Sequence, residues 1–289
     1  MPCRTVHTLL ASLVIGCALC GTVRAQESRS TSANEREMLA LLQSARYRDA
    51  SNRLPSLLAE EPVPAASGSA QAAGAPTAPK APRSASELAL LTALVTNSWS
   101  PVERLNITTL SSHEQSAYWY IRGVLAARWA WPGGSREHLD VARDAADRLS
   151  LLASTEGTFS RSAVRQAAIL AAMAGAQEER EQLTLLLGHA AHLDTQLDGL
   201  GAPPDRILPL SELAGELWLR IHRFDDAERY YRTVVERFPE RSWAWVGLAR
   251  AARDAGRLDA ARTAATRVLA AWSGDEDLAR GEMQALVDR

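Results

Sequence analysis

The sequence is poor in lysine and cysteine, and each scarcity excludes a class of functional site. Lysine occurs once among 289 residues, at Lys80, and it follows no glycine-rich turn, so the chain lacks the phosphate-binding loop of nucleotide hydrolases. The three cysteines, Cys3, Cys17 and Cys20, all lie near the amino terminus. The rest of the chain therefore has no disulfide framework, no thiolate metal site and no cysteine nucleophile.

Aromatic residues are also scarce, at 6% of the chain, whereas alanine contributes 52 residues. Alanine is the best helix former and allows helices to pack closely. Sheet folds depend on β-branched and aromatic residues, and no stretch alternates as a strand would. The sequence therefore predicts an all-α fold. The formal net charge of −2 makes nucleic acid an unfavourable partner.

Residues 1–25 have the organisation of a secretory signal peptide. Arg4 precedes an apolar run from Leu9 to Gly21, and Val23-Arg24-Ala25 supplies compact residues for cleavage after Ala25. This run of about 13 residues is shorter than the roughly 20 that a membrane-spanning helix needs. We therefore expect an exported protein, periplasmic or secreted, whose mature chain begins at Gln26.

A lipid anchor is the alternative for the leader. Val14-Ile15-Gly16-Cys17 resembles a bacterial lipobox, which would place a lipid on Cys17. Against this, the apolar run continues past Cys17, where a lipoprotein usually turns polar. A membrane is expected as a partner only if Cys17 is lipidated.

The sequence beyond the leader divides into three regions. Residues 26–62 form a short helical region that could be a degenerate repeat. Residues 63–84 form a linker rich in alanine and proline, with no apolar periodicity with which to bury surface. Residues 85–289 form the main body, which is long enough to bury a core, and we expect it to fold without residues 27–84.

Helix start and stop signals recur along the chain. Ser111 and Glu114 have capping-box spacing, as do Ser273 and Glu276, and Gly256 suits a helix end. The predicted helices lie near 33–45, 86–96, 112–131, 135–153, 160–174, 177–193, 209–221, 225–238, 242–255, 259–272 and 276–288.

The carboxyl-terminal part repeats itself at an offset of 34 residues. Asp225 pairs with Asp259, Ala227 with Ala261, and Phe238 with Trp272. A period of 34 residues built from two helices indicates a stacked array of helical hairpins. The sequence therefore predicts an α-solenoid of stacked helix-turn-helix units.

These repeats resemble the tetratricopeptide repeat (TPR) family. Residues 208–241 and 242–275 are the clearest repeats, and residues 276–289 resemble the helix that covers the last repeat. The first repeat carries Ala214-Gly215, Trp218, Ala227, Tyr231 and Pro239. The second carries Trp245, Leu248-Ala249, Gly256, Ala261 and Val268.

The resemblance implies a noncatalytic scaffold of the bacterial envelope that binds a protein or peptide in a concave groove. Fixed positions of the first helix of each repeat face that groove in the family. The set lacks the lysine and asparagine residues by which some family members hold a peptide carboxylate. A segment with an apolar anchor and a few acids fits better, with Trp243 as the aromatic contact. The mapped positions here are Glu212, Glu216, Arg220, Trp243, Val246, Arg250 and Arg253.

No residue pattern indicates catalysis, a cofactor or a metal site. His189 and His192 stand three residues apart on a predicted helix with Asp194 close by, but nothing else resembles a zinc ligand set, and histidines near a helix end are favoured by the helix dipole. No nucleophile elbow occurs. The alternative function is an envelope enzyme or a ligand-binding protein on an all-helical scaffold. A deep, closed pocket with converging polar groups would favour that alternative, and an open groove would favour the scaffold.

The leader generates the first testable prediction. The exported protein will have the intact mass of residues 26–289 without lipid, because the apolar run does not stop at Cys17. Mass spectrometry of the protein recovered from the envelope fraction measures this. A diacylglyceryl adduct on an amino-terminal Cys17 would contradict it and would make the linker a membrane tether.

Overall fold

The computed structural model describes residues 47–60, 84–157, 159–272 and 278–288. The leader, the linker, the helix expected near 33–45 and the Ser273–Glu276 capping box lie outside these residues. The described residues form twelve α-helices and no strand. The helices are α1 (Tyr47–Glu60), α2 (Ala85–Thr96), α3 (Ser100–Glu103), α4 (Ser112–Ala130), α5 (Arg136–Glu156), α6 (Arg161–Ala176), α7 (Arg180–Gly199), α8 (Leu210–Arg220), α9 (Phe224–Arg237), α10 (Ser242–Asp254), α11 (Leu258–Ala271) and α12 (Leu278–Val287).

Local capping signals fix where the helices begin and end. Ser111 accepts a hydrogen bond from the Glu114 amide at 3.4 Å, and the Glu114 carboxylate accepts one from the Ser111 amide at 3.0 Å. Glu114 also accepts a bond from the Ser84 hydroxyl at 3.0 Å, which joins the start of α2 to the start of α4. Gly256 has a φ of +80° at the α10–α11 turn. The capping box and the glycine turn are therefore confirmed.

The helices stack as consecutive hairpins, which confirms the all-α solenoid. The helix pairs α4 with α5, α6 with α7, α8 with α9 and α10 with α11 pack side by side, and α12 packs against α11. The first helices of successive pairs also contact one another, from α4 to α6, from α6 to α8 and from α8 to α10. These first helices form one continuous layer, which α2 extends at one end and α12 at the other.

Small residues allow the repeat helices to approach closely. Ala227 and Ala261 have no exposed surface, as their positions in the repeat predict. The ring of Tyr231, on α9, lies against Gly215 of α8 and Gly247 of α10. A Cβ added to Gly215 would lie 3.0 Å from this ring, and one added to Gly247 would lie 2.2 Å from its Cζ. The absence of a side chain at both glycines makes room for the phenol between α8 and α10.

Helix α1 packs against α2, although it contains a proline. Pro55 lies inside α1, where it removes one backbone hydrogen bond. Ala50 and Leu54 on the same helix have no exposed surface and belong to the common core. The region before the linker therefore contributes apolar contacts to the solenoid.

The α1 contact generates a stability prediction. Leu54→Ala will lower the free energy of unfolding by about 2–3 kcal/mol, at the low end for buried leucine because α1 packs only at the end of the stack. For a chain of this size the melting temperature falls by roughly 5–10 °C, measured by circular dichroism. Asn52→Ala, at an exposed position of α1, is the control and leaves the melting temperature unchanged. Equal melting of the two variants would mean that α1 is not part of the cooperative unit.

The Tyr231 packing generates a second stability prediction. Gly247→Ala will destabilise the protein by about 1–3 kcal/mol, because the new methyl group overlaps the phenol ring. Gly188→Ala is the matched control, since Gly188 lies inside α7 with no atom within 4 Å of its added Cβ. There the exchange removes backbone freedom from the unfolded chain and stabilises by about 0.5–1 kcal/mol. Thermal denaturation of both variants should therefore give shifts of opposite sign.

Candidate functional site

A pocket of about 270 Å³ lies where α2, α4, α8, α9 and α10 meet. Five of the seven groove residues expected from the sequence line it: Glu212, Glu216, Arg220, Trp243 and Arg250. The other lining residues are Leu94, Val95, Asn97, Arg128, Leu219, Tyr231 and Gly247.

Two of the expected groove residues are not part of this pocket. Val246 is 1% exposed and packs in the hydrophobic core, so its assignment to the groove is wrong. The reason is that α8, α9, α11 and α12 pack against α10 on more than one side, and Val246 lies on a side that these helices cover. Arg253 forms ion pairs with Glu282 of α12 and with Asp254, so it connects α10 to the last helix.

Glu216 is the centre of the polar lining. Its carboxylate accepts hydrogen bonds from Nε and Nη2 of Arg128 at 2.9 and 2.6 Å, and Nη2 of Arg220 lies 2.8 Å away. Burial raises the pKa of Glu216, but Arg128 and Arg220 outweigh burial and hold this pKa below its usual value. The carboxylate is therefore ionised at neutral pH, and two guanidinium groups hold it in place.

Arg128 connects three helices through these bonds. Besides Glu216 of α8, it donates from Nη1 to the backbone oxygen of Leu94 in α2 at 3.0 Å. In the stack, α6 separates α4 from α8. A direct bond between α4 and α8 therefore means that the layer of first helices curves toward the pocket.

Glu212 lines the pocket and also stabilises the start of α8. It is 5% exposed, and one carboxylate oxygen lies 2.5 Å from Nε of Arg241. Arg241 also donates to the backbone oxygens of Arg206 and Ile207 at 2.9 and 3.1 Å. This ion pair fixes the segment that leads into α8, so replacing Glu212 would disturb the fold.

Trp243 and Arg250 form the wall of the pocket on α10. The Arg250 guanidinium lies 5.9 Å from the centre of the Trp243 ring, within the range of a cation–π contact. Arg250 also contacts Glu282 of α12 at 2.8 Å. Trp243 is half-buried, so part of its indole remains accessible.

No direct sequence signal places Arg128, Leu94 and Asn97 in the pocket. They belong to helices outside the clear repeats, and Arg128 is 88 residues from Glu216 along the chain. Tyr231 was recognised as a repeat position, but only as a packing residue. One sequence signal could have suggested this contact. It is the presence of Arg128, a charged residue, near the end of the first helix α4.

Other site chemistries find no support in the described part of the chain. His189 and His192 both lie exposed on α7. Across residues 47–60, 84–157, 159–272 and 278–288, no three histidine, cysteine, aspartate or glutamate side chains come together as a metal would require. Among the helices of these same residues, none combines the length and the apolar character needed to cross a bilayer.

Comparison with known proteins supports the repeat assignment. A family model described as tetratricopeptide repeat matches residues 214–276, from within α8 to beyond the end of α11. Neither the curated proteins nor the solved structures include a significant match to the chain. The family match falls on the two hairpins with the clearest 34-residue period, which contribute Glu216, Tyr231 and Trp243 to the pocket. Residues 214–276 of the chain are therefore identified as tetratricopeptide repeats.

Proposed function

We propose that this protein is a noncatalytic scaffold of the bacterial periplasm or cell envelope. A segment of a protein partner lies along the layer of first helices and inserts a side chain into the pocket at Trp243. Tetratricopeptide repeats generally mediate protein–protein interaction, which supports the binding role. The signal-peptide pattern of residues 1–25 supports export.

The size and lining of the pocket carry this proposal. Sites for small organic ligands usually measure about 300–1,000 Å³ and enclose most of the ligand. A pocket of about 270 Å³ suits one or two side chains of a larger partner. Its walls combine apolar surface from Leu94, Val95 and Leu219 with guanidinium groups, which fits a segment that presents both an apolar anchor and acids.

The polar lining favours binding over catalysis. Glu216 and Arg128 neutralise each other, and Glu212 is held by Arg241. Arg128 and Arg220 hold the pKa of Glu216 below its usual value, so this carboxylate stays ionised at neutral pH. These paired groups shape the pocket and set its charge. The converging polar groups are also what a ligand-binding protein would show, so the test below separates the two functions.

Trp243 is the residue on which the proposal is tested. Interface hot spots are enriched in tryptophan and arginine, and truncating one costs 2 kcal/mol or more, about thirtyfold in affinity. Trp243→Ala should therefore remove partner binding while the helical circular dichroism is retained. The matched control is Trp129→Ala, because Trp129 is 45% exposed and does not line the pocket.

The experiment uses the full mature chain as bait in envelope extracts, with quantitative mass spectrometry of the captured proteins. A protein captured by the wild type and by Trp129→Ala, but lost with Trp243→Ala, is a partner of the pocket. Its purified form should then bind Trp243→Ala about thirtyfold more weakly in titration calorimetry. If no captured protein depends on Trp243, or if a small molecule copurifies instead, the scaffold function is contradicted.

A further inference from the structure

The hydroxyl group of Tyr231 faces the pocket without a partner. Tyr231 is 6% exposed, and its ring lies between Gly215 and Gly247, so the side chain has little room to rotate. Among the described residues, none forms a hydrogen bond with this hydroxyl. The hydroxyl oxygen is not one of the fully buried polar atoms without a partner, so water reaches it from the pocket, and a ligand that enters can replace that water as the acceptor.

This hydroxyl is a permanent hydrogen-bond donor. Burial raises the pKa of Tyr231 far above its usual value, and the charges of Glu216 and Glu212 raise it further. The phenol therefore stays protonated at any pH at which the protein is folded. A ligand group that accepts a hydrogen bond from this hydroxyl must supply a lone pair, as a carboxylate or carbonyl oxygen does.

The charges around the pocket favour an anion as that acceptor. Three carboxylates form ion pairs with four guanidinium groups at and next to the pocket, which leaves one positive charge. The carboxylates are those of Glu212, Glu216 and Glu282, and the guanidinium groups are those of Arg128, Arg220, Arg241 and Arg250. The further pair of Arg253 and Asp254 does not alter this balance. Arg220 contributes one contact to Glu216 and stacks on Trp131, so it has N–H groups left to donate.

We infer that the pocket accepts an acidic side chain of the partner segment, whose carboxylate bonds to the Tyr231 hydroxyl and pairs with Arg220. The methylene groups of that side chain lie against Leu94 and Leu219, which line the same pocket. This inference rests on the proposed function, since it names the partner residue that enters the pocket. It assigns Tyr231 to recognition as well as to packing.

The test uses three short peptides with the full mature chain. The first is N-acetyl-Ala-Leu-Glu-Leu-Ala-amide, and the second replaces glutamate by glutamine. The third has the glutamine sequence with a free terminal carboxylate in place of the amide. Binding is followed by the shift of the Trp243 indole NH in NMR titrations, assigned with the Trp243→Ala variant. We expect the glutamate peptide to saturate below about 10 mM and the glutamine peptide to bind at least tenfold more weakly.

Tyr231→Phe isolates the hydroxyl, because the ring and its packing between Gly215 and Gly247 are retained. This variant should melt like the wild type and bind the glutamate peptide about tenfold more weakly, as expected for a lost bond to a charged group. Its affinity for the glutamine peptide should not change. Arg220→Gln, at a side chain that is 29% exposed, should produce a similar loss and serves as an independent second variant.

Each remaining outcome overturns the inference. Equal binding of the glutamate and glutamine peptides would show that no carboxylate is recognised. Tighter binding of the third peptide would assign the pocket to a chain terminus, and no saturable shift up to about 10 mM would exclude the acidic side chain. The proposed function is judged separately, by whether a captured protein depends on Trp243. A carboxylate-independent partner that still needs Trp243 would therefore leave the scaffold function in place.

Discussion

The ion pair between Arg128 and Glu216 is the contact on which the pocket depends. It joins α4 to α8 across the intervening α6, and the bond from Arg128 to the Leu94 oxygen adds α2. Both side chains are partly exposed, so removing one partner leaves the other charge in reach of water and costs less than the roughly 3–5 kcal/mol typical of a fully buried pair. Arg220 lies beside the same carboxylate, so the pair joins two walls of the pocket at Glu216. It links two hairpins that are not adjacent in the stack, since the α6–α7 hairpin lies between them.

Packing around glycine is the second constraint, and it acts within the repeats. Tyr231 can enter the space between α8 and α10 only because Gly215 and Gly247 carry no side chain. The same arrangement brings its hydroxyl to the pocket, so the stacking of the two clearest repeats and the chemistry of the pocket depend on one residue. A mutation that moves Tyr231 therefore changes both, and this is why a substitution that keeps the ring is more informative than one that removes it.

Local sequence signals were sufficient for most helices of the main body, but they missed the helix at Tyr47–Glu60 and the short helix at Ser100–Glu103, and they were insufficient for the contacts across the stack. The capping box at Ser111 and the turn at Gly256 place their helix ends correctly, because each acts within a few residues. The resemblance to tetratricopeptide repeats assigned Glu212, Glu216, Arg220, Trp243 and Arg250 to one groove, and in the structure these five residues line one pocket. It could not place Arg128, since a contact over 88 residues depends on how strongly the solenoid curves. Val246 was misplaced because the period fixes a position within the repeat, whereas burial depends on the neighbouring helices as well. Pro55 is a helix breaker by propensity, yet the packing of Ala50 and Leu54 against α2 outweighs that preference.

The three cations that line the pocket, Arg128, Arg220 and Arg250, are all arginine, and the one lysine of the sequence, Lys80, lies outside the described residues. A guanidinium group does not lose its proton in proteins, whereas an ammonium group can be acetylated and so lose its charge. The positive charge of these walls is therefore permanent. Neither alkaline conditions nor the acylating enzymes that act on lysine can remove it, and chemical cross-linkers directed at amines will not react with the walls of the pocket.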